Sequence, residues 1–168
     1  HREALTVSAE QRLQMLKAAI ENQPRLVADE IELQRQGPSY TIDTLRQVRA
    51  EITSDTPLYL CLGMDVLATL DSWHQWQQLT DYCHLVISAR PDHNMPQQGA
   101  LAEWVSQRRC DDLQQLKSSS AGKLYFCETS MLAISSTQIR DKVSRGDAID
   151  YLTPAAVVNY IQQNYLYE

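Results

Sequence analysis

The chain has 168 residues, of which 43% are hydrophobic and 21% are charged, and its formal net charge is −6 at pH 7. This length suits one ordinary domain with a buried core. The negative charge disfavours a broad contact with nucleic acid or with an anionic membrane. A phosphate ligand would therefore have to be held by a few individual arginines and by backbone N–H groups. The absence of a long apolar stretch and of a signal peptide predicts a cytoplasmic protein that does not enter a membrane.

Apolar periodicity divides the chain into alternating helices and strands. Helical spacing, with capping and stop signals such as the expected N-cap Ser8, predicts helices over residues 8–22, 40–52, 65–70, 72–79, 100–116, 136–144 and 154–164. Short apolar runs predict strands over 26–33, 58–62, 84–89 and 123–127. The strands 58–62 and 84–89 are expected to be buried on both faces. A flexible turn is expected at 118–122. This alternation predicts an α/β fold, a doubly wound parallel sheet with helices on both faces, in a single domain over 1–168. Ligands of such sheets bind beyond the carboxyl ends of the strands.

The four cysteines show no pair with zinc-ligand spacing, so the sequence predicts no metal site. Cys61 and Cys127 lie inside apolar runs and are expected to be small core residues in a reducing compartment.

Three hydroxyl side chains begin the predicted helix 136–144, namely Ser135, Ser136 and Thr137. The start of a helix carries unpaired N–H groups and a partial positive charge, which favour an anion. Arg140 lies one helical turn after Ser136, so its guanidinium can reach back along the same face. Taken alone, the run suits a phosphate site and an N-cap with a surface arginine equally well.

Gly63 and Asp65 come directly after the predicted strand 58–62. A glycine lets the backbone approach a ligand closely, and a carboxylate can accept both hydroxyls of a ribose. Without context, the pair is more typical of a strand-to-helix turn with Asp65 as the N-cap.

Two tryptophans lie about one turn apart in the predicted helix 72–79. Trp76 shares a face with Leu79 and is expected to pack in the core. Trp73 is therefore the better candidate for stacking on a planar heterocycle, although it too could pack against the sheet.

Ser39, Tyr40 and Thr41 follow the first predicted strand, at the edge where ligands are expected. Their hydroxyls and the amides at the helix start could bind a carboxylate or phosphate, or could simply cap the helix.

Arg90 comes directly after the predicted strand 84–89. An arginine there is costly to bury unless it meets an anion, but it could also reach solvent or pair with an acidic neighbour.

The sequence contains no G-x-S-x-G nucleophile motif, no Cys–His pairing and no G-x-x-x-x-G-K-[ST] loop. Covalent catalysis is therefore not predicted. The chemistry that suits the candidate residues is the positioning of phosphates and the neutralisation of their charge.

Taken in order, these segments resemble bacterial nicotinate-mononucleotide adenylyltransferases over nearly the whole chain. The matching stretches are Arg35 with 37–41, then 62–67 with Trp73, then Arg90-Pro91, then 134–140, and finally 152–167. The resemblance implies a Rossmann-like fold and a transferase of NAD biosynthesis. Such an enzyme joins the AMP part of ATP to nicotinate mononucleotide, giving nicotinate adenine dinucleotide and pyrophosphate.

The resemblance also implies a role for each candidate residue. The ATP phosphates would be held by Ser135, Ser136, Thr137 and Arg140, and the adenosine ribose by Gly63 and Asp65. The nicotinate nucleotide would be bound by Ser39, Tyr40, Thr41, Trp73, the backbone of His74, and Arg90. Mg²⁺ is expected to arrive with ATP, without a dedicated protein cage. A homodimer is compatible with this scheme.

Members of that family begin with a strand and a G-x-F-x-P-x-H-x-G-H segment, whose histidines stabilise the reacting phosphates. The resemblance therefore places the catalytic histidines upstream of His1 and implies that a first strand, helix and second strand are absent here. These 168 residues alone are expected to turn over little or no substrate. Two alternatives stay open, a nucleotide-binding module without catalysis and an adenylyltransferase for nicotinamide mononucleotide or phosphopantetheine.

Overall fold

The computed structural model describes residues 7–89, 97–128 and 134–167. The chain divides into two compact units, the first formed by His1–Arg35 with Leu132–Glu168 and the second by Gln36–Met131. The single domain expected from the sequence stays a prediction. In chain order the described helices are α1 (Ala9–Ile20), α2 (Thr41–Glu51), α3 (Met64–Leu67), α4 (Leu79–Tyr82), α5 (Ala100–Arg108), α6 (Leu113–Lys117), α7 (Ser136–Ser144) and α8 (Ala155–Gln163).

A four-stranded parallel sheet forms the centre of the second unit. Its strands are β1 (Tyr59–Gly63), β2 (His84–Ala89), β3 (Arg109–Cys110) and β4 (Leu124–Glu128), in the order β1-β2-β4-β3. Leu85 on β2 pairs with Leu60 on β1 and with Leu124 on β4, and every neighbouring pair runs parallel. The predicted parallel α/β sheet is therefore confirmed. Its core is built from fully buried aliphatic side chains of the sheet and its helices, including Ile42, Leu67, Leu70, Leu79, Leu85, Ile87 and Leu124.

The first unit is held by a second apolar cluster in which α1 packs against α8. Ser8 caps α1 as expected, because its hydroxyl accepts from the Gln11 N–H while the Gln11 side chain accepts from the Ser8 N–H. The predicted helix 136–144 is confirmed with the same bounds, and the predicted helices 8–22 and 154–164 are confirmed with slightly shorter ends. No helix in the described ranges combines the length and hydropathy needed to cross a membrane.

The strand predicted over 26–33 is wrong. Val27 is 87% exposed and Leu26 is 56% exposed. The backbone N–H groups that follow bond locally, Ile31 to the Asp29 carboxylate and Leu33 to the Glu30 carbonyl. Alternation of apolar and polar residues forms a strand only where a partner strand is available, and this segment has turns instead. The residues at 39–41 therefore do not follow a strand, as the sequence had suggested; they precede and begin α2.

The burial predicted for β1 is also wrong. This strand lies at one end of the described sheet, so Tyr59 and Cys61 are exposed while Leu60 and Leu62 pack against the core. The expected core role of Cys61 and Cys127 is also wrong, because Cys61 is exposed and Cys127 is only half-buried, whereas Cys83 and Cys110 are buried.

The helix predicted over 100–116 is interrupted. It ends at Arg108, where Arg109 and Cys110 extend to pair with Leu124 and Tyr125 of β4. The chain then restarts as α6, with the Asp112 carboxylate accepting from the Gln114 N–H at 2.9 Å. Pairing with a strand of the sheet outweighs the helical preference of this short stretch.

Cys61 and Cys83 are expected to differ sharply in reactivity. Burial raises the pKa of the Cys83 thiol to about 12, and the nearby Arg49 guanidinium lowers it by less than burial raises it. The thiol therefore stays protonated and unreactive at about pH 8. Iodoacetamide should alkylate the exposed Cys61 in the native protein and spare Cys83, as measured by mass spectrometry of the peptides.

Both cysteines should react once the protein is unfolded in denaturant, which serves as the control. Alkylation of Cys83 in the native protein at the rate of Cys61 would show that Cys83 is not shielded by the fold.

Candidate functional site

The predicted helix 72–79 is two short 3-10 turns, Leu70–Ser72 and Trp76–Gln78, separated by a break. Trp73 ends the first turn with an extended backbone, and Gln75 begins the second in the left-handed conformation at φ 51° and ψ 36°. A left-handed residue cannot continue a right-handed helix. Trp73 and Trp76 therefore do not share a helix face, contrary to the sequence prediction.

Trp76 packs edge-on against Trp104, with ring centroids 5.2 Å apart and planes at 66°. Trp104 is almost fully buried, so the expected core role of Trp76 is confirmed. Trp73 is also half-buried against the same core. Its stacking on a ligand stays a prediction.

Tyr40 and His74 are brought into contact from two distant parts of the sequence. Their ring centroids lie 4.4 Å apart with an angle of 33° between the planes, and both side chains are exposed. This contact joins the start of α2 to the segment that carries Trp73, so three of the residues proposed for one ligand lie in neighbouring positions.

The N-cap residue of α2 does not cap the helix with its own side chain. Tyr40 occupies the N-cap position without a capping hydrogen bond, and its carbonyl accepts from the Asp43 and Thr44 N–H groups. Thr41 is the first helical residue rather than a cap, and its hydroxyl has no hydrogen-bond partner among the described residues. Ser39 lies just before, exposed to solvent. A helix start with a hydroxyl beside it suits a carboxylate or phosphate.

Gly63 and Asp65 lie where β1 passes into α3. Gly63 has an ordinary extended backbone at φ −77° and is itself the N-cap, so the suggested N-cap role of Asp65 is wrong. The Asp65 carboxylate lies so close above Gly63 that a Cβ there would overlap its Oδ1 atom. Glycine therefore allows this placement of the carboxylate, and a larger residue would push the exposed Asp65 side chain aside. Asp65 is exposed and makes no hydrogen bond or ion pair with any residue that the structure describes.

The hydroxyl run at the start of α7 does cap its helix. Ser135 is the N-cap, with its Oγ accepting from the Gln138 N–H at 3.2 Å, and Arg140 Nη2 donates to Thr137 Oγ1 at 3.1 Å. Arg140 thus reaches back three residues to Thr137 rather than four to Ser136. Capping uses a lone pair of the serine oxygen and leaves its proton free to donate. The cap and a phosphate site are therefore compatible readings of the same residues.

The stretch that follows His74, from Gln77 to Tyr82, is held by residues that the sequence analysis did not single out. Trp104 Nε1 donates to the Gln77 carbonyl at 3.3 Å, and Arg108 Nε donates to Thr80 Oγ1 at 3.0 Å. Arg46 approaches from α2, and its hydrogen bond with the Tyr82 hydroxyl is the main cause that raises the pKa of its guanidinium. The only sequence signal for Arg46 is its i,i+3 spacing from an aspartate.

Arg90 lies outside the described residues. Among the residues that the structure covers, no three histidine, cysteine, aspartate or glutamate side chains are grouped as a metal site would require.

Comparison with known proteins identifies the class. The model of the cytidylyltransferase-like family matches residues 1–142. A relative from Pseudomonas aeruginosa (strain UCBPP-PA14), named "Probable nicotinate-nucleotide adenylyltransferase", is 42% identical over 167 residues, which cover 99% of this chain and 78% of the relative. A relative of the same name from Psychromonas ingrahamii is 41% identical over 168 residues, covering 100% and 78%.

The solved structure of Plasmodium falciparum nicotinic acid mononucleotide adenylyltransferase complexed with NaAD has a TM-score of 0.68 to this chain. It is 17% identical, with 99% of this chain and 78% of that chain covered, so it supports the fold. The parallel sheet and the family match define a nucleotidyltransferase with a Rossmann-like fold. At the identities found over nearly its whole length, the chain belongs to the nicotinate-nucleotide adenylyltransferase family, which confirms the resemblance seen in the sequence.

Proposed function

We propose that the protein transfers AMP from ATP to nicotinate mononucleotide, forming nicotinate adenine dinucleotide and releasing pyrophosphate in NAD biosynthesis. The relatives' names support this reaction at 42% and 41% identity. The observation of the structure that carries it is the Tyr40–His74 ring contact beside the start of α2. Aromatic rings next to a helix start suit a ligand that is both planar and anionic, as nicotinate is.

The nicotinate ring stacks on Trp73, and its carboxylate accepts hydrogen bonds from the Thr41 hydroxyl, the first N–H groups of α2 and the backbone at His74. The helix start supports this assignment, because a carboxylate there is favoured by the helix dipole. Ser39 and Tyr40 complete this part of the site. Arg90 is assigned to the phosphate of the same nucleotide through its family resemblance alone.

The resemblance to the family assigns two further groups of residues to ATP, one to its ribose and one to its phosphates. The Asp65 carboxylate accepts the two ribose hydroxyls, and Gly63 gives it room to lie back against the strand end. The phosphates are bound at the start of α7, where Ser135, Ser136 and Thr137 supply hydroxyl donors and Arg140 supplies positive charge. The guanidinium is already held by Thr137, which lowers the entropy lost when a phosphate binds.

In the reaction, a phosphate oxygen of nicotinate mononucleotide attacks the α-phosphorus of ATP. A new P–O bond forms as the bond to the β-phosphate breaks, and the electron pair leaves with pyrophosphate. This step needs alignment and charge neutralisation rather than a covalent enzyme intermediate. We propose that Mg²⁺ enters with ATP and neutralises its phosphate oxygens. The catalytic histidines implied by the family, a cytoplasmic location and a homodimer stay predictions.

The reaction is tested by pyrophosphate release from ATP, Mg²⁺ and nicotinate mononucleotide, using the natural full-length protein that carries this sequence. We expect kcat/KM for the acid to exceed that for nicotinamide mononucleotide by about tenfold or more, because a charged hydrogen bond is worth about 1.5–3 kcal/mol. CTP in place of ATP is the matched control for the nucleotide. A preference for the amide or for CTP, or no pyrophosphate at all, would refute the proposed reaction.

A further inference from the structure

Arg46 connects the middle of α2 to the segment that carries Trp73 and His74. Its Nη2 donates to the side-chain oxygens of Gln75 and Gln78, its Nη1 to Asp43 Oδ1 at 3.0 Å, and its Nε to the Tyr82 hydroxyl at 3.3 Å. The guanidinium also lies over the Tyr82 ring, 5.6 Å from its centroid. All three nitrogen atoms of this side chain are therefore engaged.

The hydrogen bond from Arg46 to Gln75 is made at the residue with the least favourable backbone conformation between Trp73 and Gln78. Gln75 is left-handed at φ 51°, a conformation that costs a residue with a side chain free energy relative to the helical or extended regions. It directly follows His74, so its backbone angles set the direction in which the chain carries the His74 ring. The hydrogen bond from Arg46 favours this conformation over others, and the His74 ring then lies 4.4 Å from Tyr40.

We infer that Arg46 is a positioning residue for the pyridine nucleotide: by holding Gln75 and Gln78, it keeps His74 against Tyr40 and presents Trp73 to the ring of the substrate. This role rests on the proposed function, since Trp73 and His74 are assigned there to nicotinate. Arg46 acts through the segment and does not touch the substrate.

Arg49 provides a matched comparison on the same helix. Its guanidinium also makes several hydrogen bonds, but they go to the backbone carbonyls of Tyr82 at 2.6 Å, Thr56 at 2.7 Å and Ser120 at 2.9 Å. These carbonyls come just before β2, β1 and β4. Arg49 therefore stabilises the entry to the sheet, and its removal should lower stability without moving His74.

The experiment compares R46M, R49M and the conservative variant R46K. In the ligand-free protein, the ring protons of His74 should show a chemical shift displaced by the Tyr40 ring, assigned by its loss in H74Q. We expect R46M to lose this displacement, R49M to keep it, and R46K to retain part of it. The second readout is kinetic. R46M should raise KM for nicotinate mononucleotide about tenfold, with kcat and KM for ATP changed less than about twofold.

Two results would overturn the inference: an unchanged His74 shift in R46M, or an equal rise of both KM values. A selective rise of KM for the pyridine nucleotide in R49M as well would assign the effect to lost stability instead. Failure of the proposed function is seen separately, because the wild-type protein would then release no pyrophosphate. The chemical-shift comparison needs no substrate and still decides whether Arg46 positions His74.

Discussion

Replacing Arg140 by methionine is expected to lower kcat/KM for ATP by about 10- to 100-fold, because a hydrogen bond to a charged group is worth about 1.5–3 kcal/mol. Arg140 is half-buried beside the start of α7, and its guanidinium is already oriented by Thr137 Oγ1. A phosphate at that helix start would gain both the charge and the helix dipole. Steady-state kinetics at varied ATP concentration measure the loss. Arg140→Lys keeps the charge but not the planar fork, and should recover part of it.

Arg145→Met is the matched control. Arg145 follows the end of the same helix, is well exposed, and donates to the Asp141 carbonyl while approaching Asp147 at 3.6 Å. Its loss removes the same charge from α7 and should change kcat/KM less than about twofold, since exposed ion pairs contribute little. If Arg140→Met behaves like Arg145→Met, Arg140 only supports the helix cap, and the phosphate assignment of this residue is wrong.

Replacing His84 by leucine is expected to lower the free energy of unfolding by about 2–5 kcal/mol, since each buried polar group left unpaired costs about 1–3 kcal/mol. His84 is fully buried at the start of β2. Its Nδ1 accepts from the Lys123 N–H at 3.1 Å, so its Nε2 donates to the Ser119 carbonyl at 2.8 Å. Leucine fills a similar volume but leaves both backbone groups without a partner. The turn at 118–122, expected from the sequence to be flexible, is fastened to the sheet through this ring.

Urea unfolding followed by tryptophan fluorescence measures the change. Trp73, Trp76 and Trp104 all lie in the second unit, so the signal reports the unit that contains His84. His74→Leu is the control, because this histidine is exposed, and it should cost less than about 1 kcal/mol. A loss below about 1 kcal/mol for His84→Leu would show that the turn finds other partners or that water reaches it.

Much of the candidate site could be predicted from local sequence. Ser8 and Ser135 were recognised as possible caps because capping depends on residues three positions apart. The glycine at 63 and the aspartate at 65 follow an apolar run, and their placement at a strand end needed no knowledge of distant contacts. The phosphate, ribose and nicotinate assignments themselves rest on the family, and the geometry adds the Tyr40–His74 contact in their support.

The sequence by itself determined the parallel α/β sheet, the buried strand β2, the existence of β4, and the helices at both ends of the chain, because apolar periodicity and capping are local signals. Only the tertiary structure decided which of the remaining segments form strands. The segment 26–33 has no partner strand, while Arg109 and Cys110 become β3 by pairing with β4. The tertiary structure also decided the break at Gln75, where the backbone is left-handed and the side chain accepts a hydrogen bond from Arg46, 29 positions earlier in the chain. Such long-range contacts leave no periodic trace in the sequence, and they are what bring Tyr40 and His74 together.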